Sequence, residues 1–262
     1  MNLIFLGVPA LLLAILEQVP PLRFRRSRLL RRYFASDVTY LITGYVLIGS
    51  LSLTYIVAGS NLIGNTVGLP RLTMLNLPLW ISTPLALLAL DLGQYAAHYL
   101  MHRYDFLWEF HKIHHSSSTI DWLATFRSHL VEQVLRRIVG PLLLILIGFP
   151  VSAVLIASGI FIAWAEFNHS NLKLDLRFME PLLISPRLHK LHHVHRTSES
   201  NLGTIFTFWD RIRGTLICAD PGEGTVFGNG EPDYPQTWSV QLLELILRIF
   251  RLCRASNKLG SM

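Results

Sequence analysis

The hydrophobic positions of this chain gather into long, nearly continuous runs separated by short polar stretches, a pattern of helices buried on all sides or facing lipid. The first run, residues 1–16, stops at Glu17 and Pro20-Pro21. No basic residue precedes it and no convincing small-residue cleavage site follows, so it reads as a first transmembrane helix and not as a signal peptide. Further spans are expected over residues 35–58 and 79–100. The run 138–168 is broken at Gly148-Phe149-Pro150. Each of its arms is short for a ~30 Å hydrocarbon core, which makes it a helical hairpin, either spanning with tilt or re-entrant. Residues 172–230 are rich in Gly, Pro, Asn and charge, with short strands expected near 204–208 and 215–218. Residues 238–254 form an amphipathic helix, with Gln241, Glu244, Arg248 and Arg251 on one face and Leu, Ile and Phe on the other, suited to a membrane interface.

Composition agrees with this pattern. Charged residues make up 15 % of the chain and apolar ones 51 %, against about 25 % charged in an average soluble protein, and the mean hydropathy is +0.41. The net charge of +6 is concentrated beside the apolar runs, above all at Arg23, Arg25, Arg26, Arg28, Arg31 and Arg32. That placement fits anionic lipid headgroups better than nucleic acid, and it marks the first loop as cytoplasmic. The loop 59–76, with a single Arg, belongs on the opposite side. Cys218 and Cys253 are far apart and outside any CxxC pattern, which excludes a disulfide framework and a thiolate zinc site.

All eleven histidines lie between His98 and His195. His98 and His102 are four apart on a predicted helix and so project from one face. His111, His114 and His115 form H-x2-H-H, in which 111 and 115 share a face and 114 lies beside it, so the group reaches two metals. His189, His192 and His193 repeat the pattern after Pro186, and His169 stands alone at the end of the hairpin. Nine imidazoles are too many for one tetrahedral ion, so two metals are expected, on His98, His102, His111, His114, His115, His169, His189, His192 and His193. All-nitrogen donors admit iron, zinc or copper and exclude an iron–sulfur cluster. His129, near Arg127, is placed beside the ligands, and His195 at the surface or on the substrate side. Asp91, two turns before His98 and with Tyr95 between, is expected to accept a histidine's second ring N–H. Because the histidines must share one compartment, the hairpin has to return His169 to the cytoplasmic side.

These segments resemble the fatty acid hydroxylase / sterol desaturase superfamily. The resemblance runs from about Asp91 to Thr215. It includes the three histidine boxes, Arg127-x-His129, Asn168-His169-Ser170-Asn171, Pro186-x-x-His189, Asn201-x-Gly203, and Trp209-Asp210-Arg211 with Gly214-Thr215. It implies an all-α membrane protein of about four transmembrane helices, the hairpin included, capped by a cytoplasmic histidine-rich di-metal region. The chain then divides into a membrane region 1–97, a histidine-box region 98–230 and a closing helix and tail 231–262. The activity implied is O2-dependent hydroxylation or desaturation of a sterol, fatty acyl or related lipid at two metal ions, usually iron, with zinc admissible on isolation. Electrons would come from a separate electron-transfer protein, and nucleic acid is not a partner. Asp91, Tyr95, His129 and Asn201 are the catalytic candidates outside the ligand set. Two positions depart from the pattern: Leu130 stands where many members have proline, and Ala165 where the fatty-acid 2-hydroxylase branch has a further histidine. Carotenoid hydroxylation is the nearest alternative, and a non-catalytic metal-binding membrane protein the alternative of a different class. A transporter would place its ligands at mid-membrane on facing helices, whereas these lie at helix ends and in polar segments.

Overall fold

The computed structural model describes residues 3–26, 29–48, 58, 77–195, 199–222 and 224–259. The expected far-side loop 59–76 and the later part of the expected second span, 49–57, lie outside these residues. The described chain is helical. Helix α1 is Leu3–Leu16, and α2 is Phe34–Tyr40, continued by a more widely wound π stretch, Leu41–Ile48. Helices α3 (Leu79–Arg103) and α4 (Asp105–His115) meet at Tyr104, whose extended backbone breaks the helix between them. A 3-10 turn at Trp122–Phe126 leads to α5 (Leu130–Val134), a π stretch (Leu135–Val139) and α6 (Gly140–Ile147). Then follow α7 (Val151–His169), α8 (Pro186–His192), α9 (Phe208–Arg213) and α10 (Trp238–Leu259).

The break at Gly148-Phe149-Pro150 turns the chain between α6 and α7. Gly148 has φ +113°, a conformation that a side chain resists, and its N–H closes onto Leu144 and Ile145. The two arms pack together, with Leu144 joining Val154 and Phe161 of α7, Leu90 of α3 and Ile205 in one buried cluster. On the other side of α7, Ala10 of α1 packs with Leu123 and Phe126.

One expectation is corrected here. The segments 204–208 and 215–218 do not form strands. Among the described residues only isolated bridges occur, Leu183 with Phe206 and Arg23 with Leu172, because each pairing is interrupted after one residue pair. The helical architecture is as expected, and the expected spans are matched in part. Among the described residues, Val151–His169 is the one helix both long and apolar enough to cross a membrane. Helix α1, at 14 residues, reaches only ~21 Å, and α3 is long enough but carries Asp91, Gln94, Tyr95, His98 and His102. Large apolar side chains nevertheless cover the outer surface of these helices: Val8, Leu11, Leu12 and Ile15 on α1, and Leu88 and Leu92 on α3.

Helix α10 is amphipathic, as its sequence pattern requires, but its polar stripe faces the protein. Gln241 is fully buried, accepts from the Tyr40 hydroxyl at 2.8 Å and donates to Ser116 Oγ at 2.8 Å. Arg248 binds Glu231 at 2.7 Å and Glu244 at 2.8 Å. Val240, Leu243, Ile246 and Leu247 face outward.

A buried ionic network ties the N-terminal segment to the histidine segments. Asp37 lies between Arg31 and Arg127, with Arg127 Nε 2.9 Å from its carboxylate. Arg31 also holds Asp121 through Nε at 2.6 Å and Nη2 at 2.8 Å. Asp121 in turn caps the 3-10 turn through the N–H groups of Leu123 and Ala124. Arg127 reaches Gln236 Oε1 at 2.8 Å and the Gln236 carbonyl at 2.6 Å. Breaking one member of such a network leaves buried charge uncompensated, at a cost of about 3–5 kcal/mol. Asp37→Ala, which strands both Arg31 and Arg127, is therefore expected to lower the thermal midpoint of the detergent-solubilised protein by many degrees. An unchanged midpoint would show that the network contributes little.

Candidate metal centre

Four segments bring nine imidazoles together, and local helical geometry sets how each is shared. His98 and His102 lie on the last turns of α3. His111, His114 and His115 end α4, and His169 is the last residue of α7. The second triplet sits on α8 and the residue that closes it, where Pro186 opens the helix and the Ser185 hydroxyl caps it through the Leu188 N–H at 3.3 Å.

The nine fall into two groups, each with ring nitrogens within 4.8 Å of one another: His98, His102, His111, His115 and His192, and His114, His169, His189 and His193. Both triplets split by the same rule. The i, i+4 pair 111/115 serves the first group and 114 the second, while the pair 189/193 serves the second and 192 the first. The groups adjoin, with the His115 and His193 rings stacked at 4.6 Å.

Five of the nine rings have an acceptor on Nδ1. Nδ1 of His98 donates to the Leu202 carbonyl at 2.8 Å, of His114 to Arg127 at 3.0 Å, of His169 to Ala165 at 2.7 Å and of His192 to Ser200 at 3.0 Å. His111 Nδ1 lies 3.1 Å from Glu132 Oε1. A carbonyl can only accept, so each of these rings carries its proton on Nδ1 and presents a bare Nε2. His114 Nε2 and His169 Nε2 are consequently two lone pairs facing each other at 3.0 Å. His189 Nε2 is 3.0 Å and His193 Nε2 3.2 Å from His169 Nε2. A proton does not relieve this crowding, because burial first, and neighbouring imidazoles second, hold His114, His115, His189 and His193 well below the ordinary 6.5. Four nitrogens around one ion at ~2.0 Å would lie ~3.3 Å apart, close to these separations. In the first group, Nε2 of His98, His102 and His111 is buried with no hydrogen-bond partner among the described residues. Both donor sets fit a metal ion: buried imidazoles with nitrogens converging inward, five of the nine rings held from outside through Nδ1.

The remaining predicted residues act at one remove. Asp91 does not accept from a histidine. Its carboxylate takes the N–H of Ile205 at 3.0 Å, of Phe206 at 3.3 Å and Nε1 of Trp209 at 2.8 Å. Two turns before His98, Asp91 shares that residue's face of α3 but lies ~10 Å along the axis, where it meets the N–H groups of the 205–206 loop. Tyr95 is buried with its ring 6.3 Å from that of Trp209. His129 is half-buried and caps α5, its Nδ1 accepting from the Val131 N–H at 3.1 Å. Leu130 after it occupies the first helical position, where proline is equally at home. Asn201, at φ +51°, donates to the carbonyls of Leu188 and Ile217 and accepts from the Ile217 N–H. It thereby pins α8 to the loop whose carbonyls at 200 and 202 hold His192 and His98. Asp210 caps the same loop through the N–H groups of Leu202 and Gly203. A Cβ on Gly203 would lie 2.6 Å from the Phe206 carbonyl, so the loop closes only with glycine there. His195 is exposed.

Glu132 was not anticipated from the sequence. It is fully buried between His111 and Arg136, whose Nη1 lies 3.2 Å away. Burial works to raise its carboxyl, but the His111 ring and the Arg136 guanidinium outweigh that and hold it at about 2. The one sequence signal was an acid in a helix's first turn three residues after His129, with Arg136 four residues on.

A cavity of about 110 Å³ runs between α3, α5–α6 and α7 onto His98 and His111 of one group and His114, His169 and His189 of the other. Leu90, Phe126, Leu155, Phe161 and Ile162 give it an apolar wall. Of the apolar residues near the histidine segments, Phe126 lines this cavity, Trp122 packs against the α1 cluster and Leu100 faces outward.

The family model for fatty acid hydroxylase matches residues 83–215, a stretch that holds all nine clustered histidines. An ornithine lipid hydroxylase of Rhizobium tropici is 29 % identical over 141 residues, covering 53 % of this chain and 43 % of that protein. An alkylglycerol monooxygenase of Danio rerio is 30 % identical over 190 residues, covering 67 % and 40 %. The Homo sapiens alkylglycerol monooxygenase is 25 % identical over 156 residues, covering 56 % and 33 %. The matches thus span less than half the length of these relatives. No solved structure matches.

Partners of ligating histidines typically contribute 10- to 100-fold in metal affinity. Glu132→Gln keeps an acceptor but loses the charge and is expected near ~10-fold weaker binding, and Glu132→Ala near ~100-fold. Chelator competition measures both, and equal affinity in all three proteins would remove Glu132 from the centre.

Proposed function

The chain belongs to the fatty acid hydroxylase family, and on that premise we propose that it is a membrane-bound, O2-dependent oxidoreductase acting on a lipid at two histidine-held metal ions. One ion belongs to His98, His102, His111, His115 and His192, the other to His114, His169, His189 and His193. Iron is the metal proposed, because bound iron supplies O2 activation and oxidation of an unactivated C–H bond. Electrons come from a separate donor protein.

The observation that carries the reading is the cavity, whose apolar wall meets rings of both groups. At about 110 Å³ it is smaller than the ~300–1,000 Å³ of a pocket that encloses a whole drug-sized ligand. It therefore takes the reacting segment of a lipid while the remainder lies outside, among the apolar side chains that α6 and α7 turn outward. The chain's own residues prepare that encounter. The carbonyls of Leu202, Arg127, Ala165 and Ser200 and the carboxylate of Glu132 hold the rings in one tautomer. Leu90, Phe126 and Phe161 keep water from the reacting segment. Asp91, Asn201 and Asp210 hold the carbonyl loop and are positioning residues. His129 acts through the helix it caps.

Membrane attachment is supported by the apolar helix Val151–His169 and the outward apolar faces of α1 and α10. The arginines at 23–32 favour the cytoplasmic face for the centre. The four-span topology with the hairpin, and the divisions at 97/98 and 230/231, remain part of this proposal.

Relatives named for ornithine lipid hydroxylation and alkylglycerol oxygenation make hydroxylation of a polar lipid the first outcome to seek. Purified protein given a lipid extract, a reductant and O2 is expected to add sixteen mass units to one lipid class. His114→Ala and His192→Ala, one from each group, are each expected to abolish that product. Turnover that survives either substitution with full metal content would refute the assignment, and metal binding without any lipid product would favour a non-catalytic metal protein.

A further inference from the structure

The nine clustered imidazoles pack mostly against one another, and among the described residues one other aromatic side chain is in ring contact with them, that of Trp108. Its ring centre lies 5.1 Å from that of His102, 5.3 Å from that of His115 and 6.2 Å from that of His111. Trp108, His111 and His115 follow i, i+3, i+7 spacing on α4, so they share one helix face. All three contacts are with the first histidine group. Trp108 is half-buried, and its neighbours in sequence, Tyr104 and Phe106, are 57 % and 49 % exposed. The four rings of the second group are all buried.

An O2-dependent oxidation of a lipid needs two approaches to the metals, one for the lipid and one for electrons. The lipid's approach is the cavity, and Trp108, His102 and His115 are not among its lining residues. A cavity of about 110 Å³ admits no protein, so a donor protein must deliver electrons from the outer surface. Electron transfer weakens steeply as the gap between the exchanging groups widens. Trp108 shortens that gap: its indole packs on two imidazoles, and the residue keeps part of its surface open to solvent.

We propose that Trp108 is the port through which electrons from a donor protein enter the first histidine group. The proposal rests on the donor-fed reading given above. Each electron leaves the donor, crosses the indole and reaches the ion of the first group through His102 or His115, while the indole itself is neither oxidised nor reduced in net. Two one-electron donors are thereby oxidised and two ions reduced, the second group adjoining the first where the His115 and His193 rings stack at 4.6 Å. Lipid in the cavity does not obstruct this route, so reduction and substrate binding proceed independently.

The test uses the full chain in detergent, loaded with ferric iron and mixed, without O2 or lipid, with fully reduced flavodoxin, a protein donor too large for the cavity. Stopped-flow absorbance of the flavin reads electron delivery, and iron content is measured on the same samples. Trp108→Leu is expected to lose most of the reduction rate with its iron retained. Trp108→Phe, which keeps a smaller ring against His102 and His115, is expected to lose part of it. Trp80→Phe, at a tryptophan that is 75 % exposed and outside these contacts, is expected to be reduced like the unsubstituted chain. An unchanged rate per bound iron in the Trp108 variants, or an equal loss in Trp80→Phe, would overturn the port. If Trp108→Leu does not fold, Trp108→Phe decides alone by the same criterion. Iron that flavodoxin reduces in no variant, the unsubstituted chain included, would overturn the donor-fed reading and the port with it.

Discussion

The structure depends on one unfavourable act, the crowding of nine imidazoles into a water-poor interior with their ring nitrogens turned toward each other. Among the described residues, Nε2 of His98, His102 and His111 has no hydrogen-bond partner, and the second group's Nε2 atoms stand 3.0–3.2 Å apart. Burying such acceptors without partners costs free energy that a shared cation restores. The remaining design keeps the rings from escaping this geometry. Backbone carbonyls at 127, 165, 200 and 202 and the Glu132 carboxylate fix the outer nitrogens. Asn201, Asp210 and Asp91 in turn fix the loop from which two of those carbonyls come.

This hierarchy joins the apolar and polar parts of the molecule. Arg127 offers its carbonyl to His114 while its guanidinium enters the network of Asp37, Arg31 and Asp121. Ser116, next to His115, receives both Arg127 and Gln241 from the inward polar stripe of α10. With its polar residues spent on the protein, α10 presents apolar side chains outward, as α1 and α7 do. The centre is thus held from the polar side and approached, through the cavity, from the apolar side.

The histidine spacing was legible because it is local. A helix places i and i+4 together whatever packs around it, so the division of 111 and 115 from 114 followed from the sequence. The division of 192 from 189 and 193 follows the same rule. Which segment joins which group did not follow, because it depends on how α3, α4, α7 and α8 cross. The same limit explains the residues misjudged. Asp91 lies near the histidines in sequence but satisfies N–H groups more than a hundred residues later. His129 resembles a ligand in composition yet caps a helix, and Glu132, the acid that does hold a ligand, carried no motif. The expected strands failed because alternation over four or five residues says nothing about whether a partner strand continues beside them. The apolar run of α3 carries a polar column, Asp91, Gln94, Tyr95 and His98; three of its members were legible in the sequence, and the packing adds Gln94.

The central claim is that two distinct histidine groups each hold one metal ion. Metal analysis of the purified full chain, combined with X-ray absorption at the metal edge, tests it most directly. The account predicts two ions per chain, with first-shell scattering from nitrogen and oxygen and a marked imidazole contribution. A single ion per chain after metal loading, or sulfur in the first shell, would contradict it.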